Sequence, residues 1–88
     1  MLTKQDKIEH GVLTVLRSYI TEWGTKPTAV EIAGYETPGG FSSPELRTTM
    51  SAAQNLKKLH SRGLVSRWQT KWGFIYAPVE SAYSQLNK

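Results

Sequence analysis

Asn55-Leu56-Lys57-Lys58-Leu59-His60-Ser61-Arg62-Gly63-Leu64-Val65 marks the point where the chain changes its period. Leu56 and Leu59 stand three apart, the spacing that places two side chains on one face of a helix. Gly63 supplies the left-handed residue on which helices commonly end. Leu64 then falls where a Schellman motif folds an apolar side chain back onto Leu59. Beyond it the pattern is that of strands. Leu64 to Trp68 and Trp72 to Ala77 are rich in β-branched and aromatic residues, with Gln69-Thr70-Lys71 between them and Gly73 close by. A β-hairpin is the natural reading, closed by Pro78.

Working back from Leu56, the same helix extends to Ser43 as its cap, with Pro44 in the first turn and Glu45 near the positive end. It is expected to run through Leu46, Met50, Ala53, Leu56 and Leu59 to about Arg62, with Leu46, Thr49, Ala53, Leu56 and Leu59 clustered on its core side. Tyr35 to Phe41, with Pro38, Gly39 and Gly40 together, reads as a loop. Before that, Thr28 and Glu31 have capping-box spacing, which predicts a helix of about two turns with Val30, Ile32 and Ala33 facing inward and Gly34 as its stop. The first helix is the longest. Thr3 and Asp6 open it, and Ile8, Val12, Leu13, Val15, Leu16, Tyr19, Ile20 and Trp23 form one apolar face. Gly24 ends it, and Thr25-Lys26-Pro27 links it onward. At the other end, Val79, Ala82, Tyr83 and Leu86 have helical spacing and suggest a short C-terminal helix.

Eighty-eight residues accommodate one core. The expected division is therefore a domain over residues 1–78 and a short C-terminal helix over 79–88, either capping the core or pairing two copies in a homodimer. Without cysteine the chain has no disulfide and no thiolate metal site. No apolar run is membrane-sized and no signal-peptide pattern is present, so a cytoplasmic location is expected.

The net charge of +4 is modest, but its placement is uneven. Leu46 to Val79 holds Arg47, Lys57, Lys58, Arg62, Arg67 and Lys71 and no acidic residue. Such a field attracts polyanions.

Three helices followed by a hairpin is the order of the winged helix-turn-helix superfamily. The Asn55–Val65 stretch resembles the end of the third helix in its MarR- and ArsR-like branch, where two leucines three apart precede Gly-Leu-Val. Pro27 to Ala33 is similar to that family's second helix. The resemblance implies a mainly α fold with a small β-hairpin, a third helix that reads the major groove of double-stranded DNA, and a wing that follows the backbone or enters the minor groove. The chain departs from the pattern between its second and third helices, where Tyr35 to Ser43 far exceeds the usual turn of about three or four residues. Either the turn is expanded or the first turn of the third helix bends away.

On the third helix, Arg47, Ser51, Gln54, Asn55 and Lys58 fall opposite the expected core side. Their chemistry suits a groove. Arginine forks onto guanine, Gln and Asn onto adenine, and Ser and Lys reach phosphates. A plain solvated face would share this polarity but ordinarily carries carboxylates, which are missing after Glu45. The hairpin adds Arg67, Thr70 and Lys71. Trp68, Trp72, Phe74 and Tyr76 are read mainly as closing a small core, with Trp72 the most exposed, although aromatic residues also stack bases in single-strand binders. His10 and His60 lie on different helices. Asp6 and His10 lack a third ligand, and no phosphate loop or nucleophile signature is present. The expectation is a DNA-binding transcriptional regulator with no cofactor, no metal and no enzymatic activity. The rival readings are a protein-interaction module on the same scaffold and an architectural factor that directs a recombinase.

Overall fold

Thr3 opens the first helix of the computed structural model, which describes residues 3–79. Helix α1 spans Lys4–Trp23. Its start is the expected reciprocal cap: Asp6 N–H donates to Thr3 Oγ1 at 3.1 Å, and Thr3 N–H donates to Asp6 Oδ2 at 3.2 Å. It stops at Gly24, whose φ of 72° lets its N–H reach Ile20 O at 2.7 Å. Val12, Leu13, Val15 and Leu16 are buried along it, whereas Trp23 at the end of the apolar stripe is exposed.

Helix α2, Ala29–Ile32, is a single turn. Thr28 and Glu31 form its capping box, at 3.2 Å for Glu31 N–H to Thr28 Oγ1 and 2.9 Å for the return bond. Ile32 is fully buried, but Val30 points outward, contrary to the expected inward face.

The third helix is divided, its first turn bent away, one of the two alternatives that the long link left open. Pro44–Leu46 forms one 3-10 turn, and helix α3 begins only at Thr49 and runs Thr49–Ser61. Two carbonyls explain the break. Leu46 O accepts from Gly34 N–H at 2.7 Å. Glu45 O accepts from the Ser51 hydroxyl at 2.6 Å and the Asn55 amide at 3.3 Å. A continuous helix would direct both carbonyls along its own axis to the residues four ahead. The first turn therefore bends away, and Thr48 takes over as cap by accepting from Ser51 N–H at 3.1 Å. Ser43 makes no cap; its hydroxyl donates to Glu45 Oε1 at 3.1 Å.

The new start also rotates the buried side. Ala52, Leu56 and Leu59 face the core, while Thr49, expected there, is exposed, as is Met50, and Ala53 is only half-buried. The far end follows expectation. Leu64 N–H donates to Leu59 O at 2.9 Å and Gly63 N–H to His60 O at 3.0 Å, with Gly63 at φ 76°. That pair of bonds is the Schellman motif.

Strands β1, Val65–Thr70, and β2, Gly73–Pro78, form one antiparallel pair, registered from Val65 opposite Pro78 to Thr70 opposite Gly73. Gln69 and Thr70 belong to β1, and the turn is Lys71-Trp72. Alternation puts Val65 and Tyr76 on the buried face. The link before α2 also joins this sheet: Tyr76 N–H donates to Pro27 O at 3.0 Å, and Thr28 bridges Ile75.

The core gathers Val12, Leu13, Leu16, Ile32, Leu46 and Leu56 with Val65 and Tyr76 from the hairpin. The long Tyr35–Ser43 loop is anchored to α1. Tyr35 donates to Glu22 Oε1 at 3.2 Å and stands edge-on to Tyr19, ring centroids 5.1 Å apart. Phe41 lies across Gly11, where an added Cβ would meet its ring at 3.5 Å. Burial, then the Glu31 carboxylate and Tyr35, raise the Tyr19 phenol above its usual ionisation range. Among the described residues no helix is long and apolar enough to cross a membrane. The C-terminal stripe of Ala82, Tyr83 and Leu86 lies outside the described residues; Val79 N–H donates to Leu64 O at 2.9 Å.

Candidate nucleic-acid interface

The buried side of α3 fixes what it presents outward. With Ala52, Leu56 and Leu59 turned inward, the opposite face carries Met50, Gln54, Lys57, Lys58 and Ser61, all exposed. No carboxylate lies on this helix. Its C-terminal half, with Gln5 of α1, lines an open groove of about 490 Å³ bounded by Gln54, Lys57, Lys58, Ser61 and Arg62.

The residues anticipated on the third helix divide into two groups. Gln54 and Lys58 stand on the outward face, and Arg47 is exposed at the bend before Thr48. Ser51 and Asn55 are half-buried on the flank toward the 3-10 turn. Their side chains donate to Glu45 O, and Asn55 also to Ser51 O at 2.9 Å. Those bonds fix the bend between the two helical pieces. Lys57 joins the outward face instead. The sequence signal was Ala52: counting the core side from it, rather than from Leu46 across an assumed unbroken helix, puts Lys57 outside.

One of the six basic residues of the acid-free stretch has an acidic partner on another helix. Arg62, at the C-terminal cap of α3, makes an ion pair with Glu9 of α1, whose side chain is only 1% exposed. Gln5 Nε2 donates to the same carboxylate at 3.3 Å. Glu9 precedes Val12, Leu13 and Leu16 by three, four and seven residues, so its place on the apolar face was already visible in the spacing.

The hairpin supplies a second cationic element. Arg67 lies with its guanidinium 4.2 Å from the Phe74 ring centroid, a stacking that leaves the planar group partly accessible. Thr70 is an organiser of the turn. Its hydroxyl donates to Gly73 O at 2.7 Å and accepts from Trp72 N–H at 3.2 Å. Lys71 and Trp72 project from the tip, the ammonium 4.6 Å from the indole centroid. Tyr76 and Phe74 close the core as expected, whereas Trp68 stays about half exposed beneath the Lys26 ammonium at 5.2 Å.

Among the described residues no three His, Cys, Asp or Glu side chains gather as a metal site. The Asp6 carboxylate accepts from the backbone of the α1 cap. No family model matches the chain, and no curated protein or solved structure does.

Proposed function

We propose that the protein is a winged helix-turn-helix domain that binds double-stranded DNA as a transcriptional regulator, with α3 in the major groove and the hairpin as its wing. The observation that carries this reading is the outward face of α3, which is exposed and cationic, polar apart from Met50, and has no carboxylate. A helix fits a B-DNA major groove about 12 Å wide, and a face that enters it must offer hydrogen-bonding groups to base edges and cations to phosphates. Gln54 has the amide for adenine. Lys57 and Lys58 have the charge for the flanking strand, and Arg47 at the bend extends it.

The wing adds Arg67 and Lys71 in a segment without acidic residues. Thr70 serves it indirectly, by fixing the turn from which Lys71 projects. Phosphate contacts of this kind position a protein on the duplex, and base-edge contacts then select the sequence.

Selection of bound sequences from a random duplex pool tests the reading. Enrichment of a defined motif supports a sequence-reading regulator, and a palindrome shows that two copies bind as a homodimer. Uniform low-salt retention without a motif points to an architectural role. No retention at low salt rejects DNA binding and favours a protein-interaction module.

A further inference from the structure

The tip of the hairpin holds a side chain that neither the turn nor the core requires. Trp72 is 77% exposed at the second position of a two-residue turn. Lys71 and Trp72 keep ordinary negative φ, and Gly73 takes the left-handed value, 113°. The turn therefore makes no demand for an indole. Tight turns favour Gly, Asn, Asp, Pro or Ser at such sites, each for a backbone reason that tryptophan lacks.

The tip is also held in place. The Thr70 hydroxyl donates to Gly73 O and accepts from Trp72 N–H, so the turn backbone that carries the indole is held at Trp72 and at the residue after it. Fixing it beforehand lowers the ordering cost of placing an aromatic ring against a partner. The charge in contact with the ring is positive: Lys71 lies against it, neither strand holds an acidic residue, and the shallow pocket beside Trp72 carries Lys26 as well as Glu31. An apolar plate flanked by a cation on a firm turn matches the chemistry of a duplex entered from the minor groove. There, apolar side chains wedge between base steps while cations hold the adjacent phosphates.

We infer that Trp72 is a wedge which enters the minor groove, partly unstacks one base step and bends the DNA. The inference rests on the reading of the hairpin as a DNA-binding wing. Part of the stacking gained by the indole is spent on unstacking the base pairs, so the wedge shapes the DNA more than it tightens binding. Exposure of Trp72 means that its replacement leaves the core untouched.

The test uses a random-sequence duplex carrying a donor and an acceptor dye at its ends, titrated with the full chain at low salt. The parent is expected to shorten the end-to-end distance by an amount corresponding to a bend of roughly 20–90°. Trp72→Ala should melt like the parent, bind about three- to tenfold more weakly, and leave the saturated duplex straight. Trp72→Phe should restore part of the bend. In a Trp23→Phe, Trp68→Phe background, the remaining indole should be quenched on binding through stacking with bases. Binding without a bend, or an equal bend with Trp72→Ala, overturns the wedge while leaving DNA binding intact. Unquenched indole emission in a saturated complex does the same. Absence of any binding by the parent overturns the wing reading itself, and the wedge with it.

Discussion

Glu9 and Arg62 tie the first helix to the end of the third, and the bond is asymmetric. The carboxylate is buried, while the guanidinium is half exposed. Removing the arginine strands a charge inside the protein, whereas removing both groups leaves an apolar contact, so the two changes differ in sign of risk. Arg62→Ala is predicted to destabilise by about 2–4 kcal/mol in denaturant melts, and a second change, Glu9→Leu, should recover most of that loss. Equal instability of the double variant would contradict the account. Asn55 gives a second residue-scale prediction. Its amide joins α3 to the 3-10 turn, so Asn55→Ala should lower stability by about 1 kcal/mol and leave the DNA affinity of the folded protein within about twofold. A loss of affinity without loss of stability would return Asn55 to the groove-facing set. Sequence types alone did not separate Asn55 from Gln54, because both are amides on a polar flank. Only the path of the Glu45 carbonyl distinguishes them.

At the level of elements, local signals were legible wherever they satisfy their own backbone. Thr3 with Asp6, Thr28 with Glu31, and Gly63 with Leu64 each close bonds within a few residues, and each appears as expected. The overlong link pointed to a first turn that bends away, as it does, but the cap of the third helix was misplaced at Ser43 because the break is tertiary. Gly34 is twelve positions from Leu46, and no pattern around Ser43 announces that the Leu46 carbonyl will be taken. The same limit hid the Pro27–Tyr76 bond that brings the linker beside β2. The cap of α3 is consequently Thr48, and Thr48→Ala should cost about 1 kcal/mol in thermal or denaturant unfolding. Ser43→Ala, which removes no cap bond, should lack that helix-capping effect in helix content measured by circular dichroism. Leu56→Ala, in the fully buried middle of α3, should cost about 2–5 kcal/mol. A Leu56 variant that melts with the parent would mean that α3 packs on another face.

Across the whole molecule, charge was the part of the candidate site most readable in advance, because the acid-free run from Leu46 to Val79 is a property of composition. Its geometry was less so. Arg62 turns inward to Glu9, Ser51 and Asn55 serve the bend, and Lys57 joins Gln54 and Lys58 on the outward face. What remains outward is Arg47, Lys57, Lys58 and Lys71, with Arg67 partly covered by Phe74 of the neighbouring strand. Their cooperation on one duplex is the central claim, and counterion release reports it most directly. The measurement is the salt dependence of binding to duplex DNA by the parent and by a Lys57→Ala, Lys58→Ala variant that melts normally. With about four or five phosphate contacts, the logarithm of the binding constant should fall with the logarithm of salt at a slope near 4, and the double variant should lower that slope by about 2. A flat dependence in the parent, or an unchanged slope in the variant, would contradict the account.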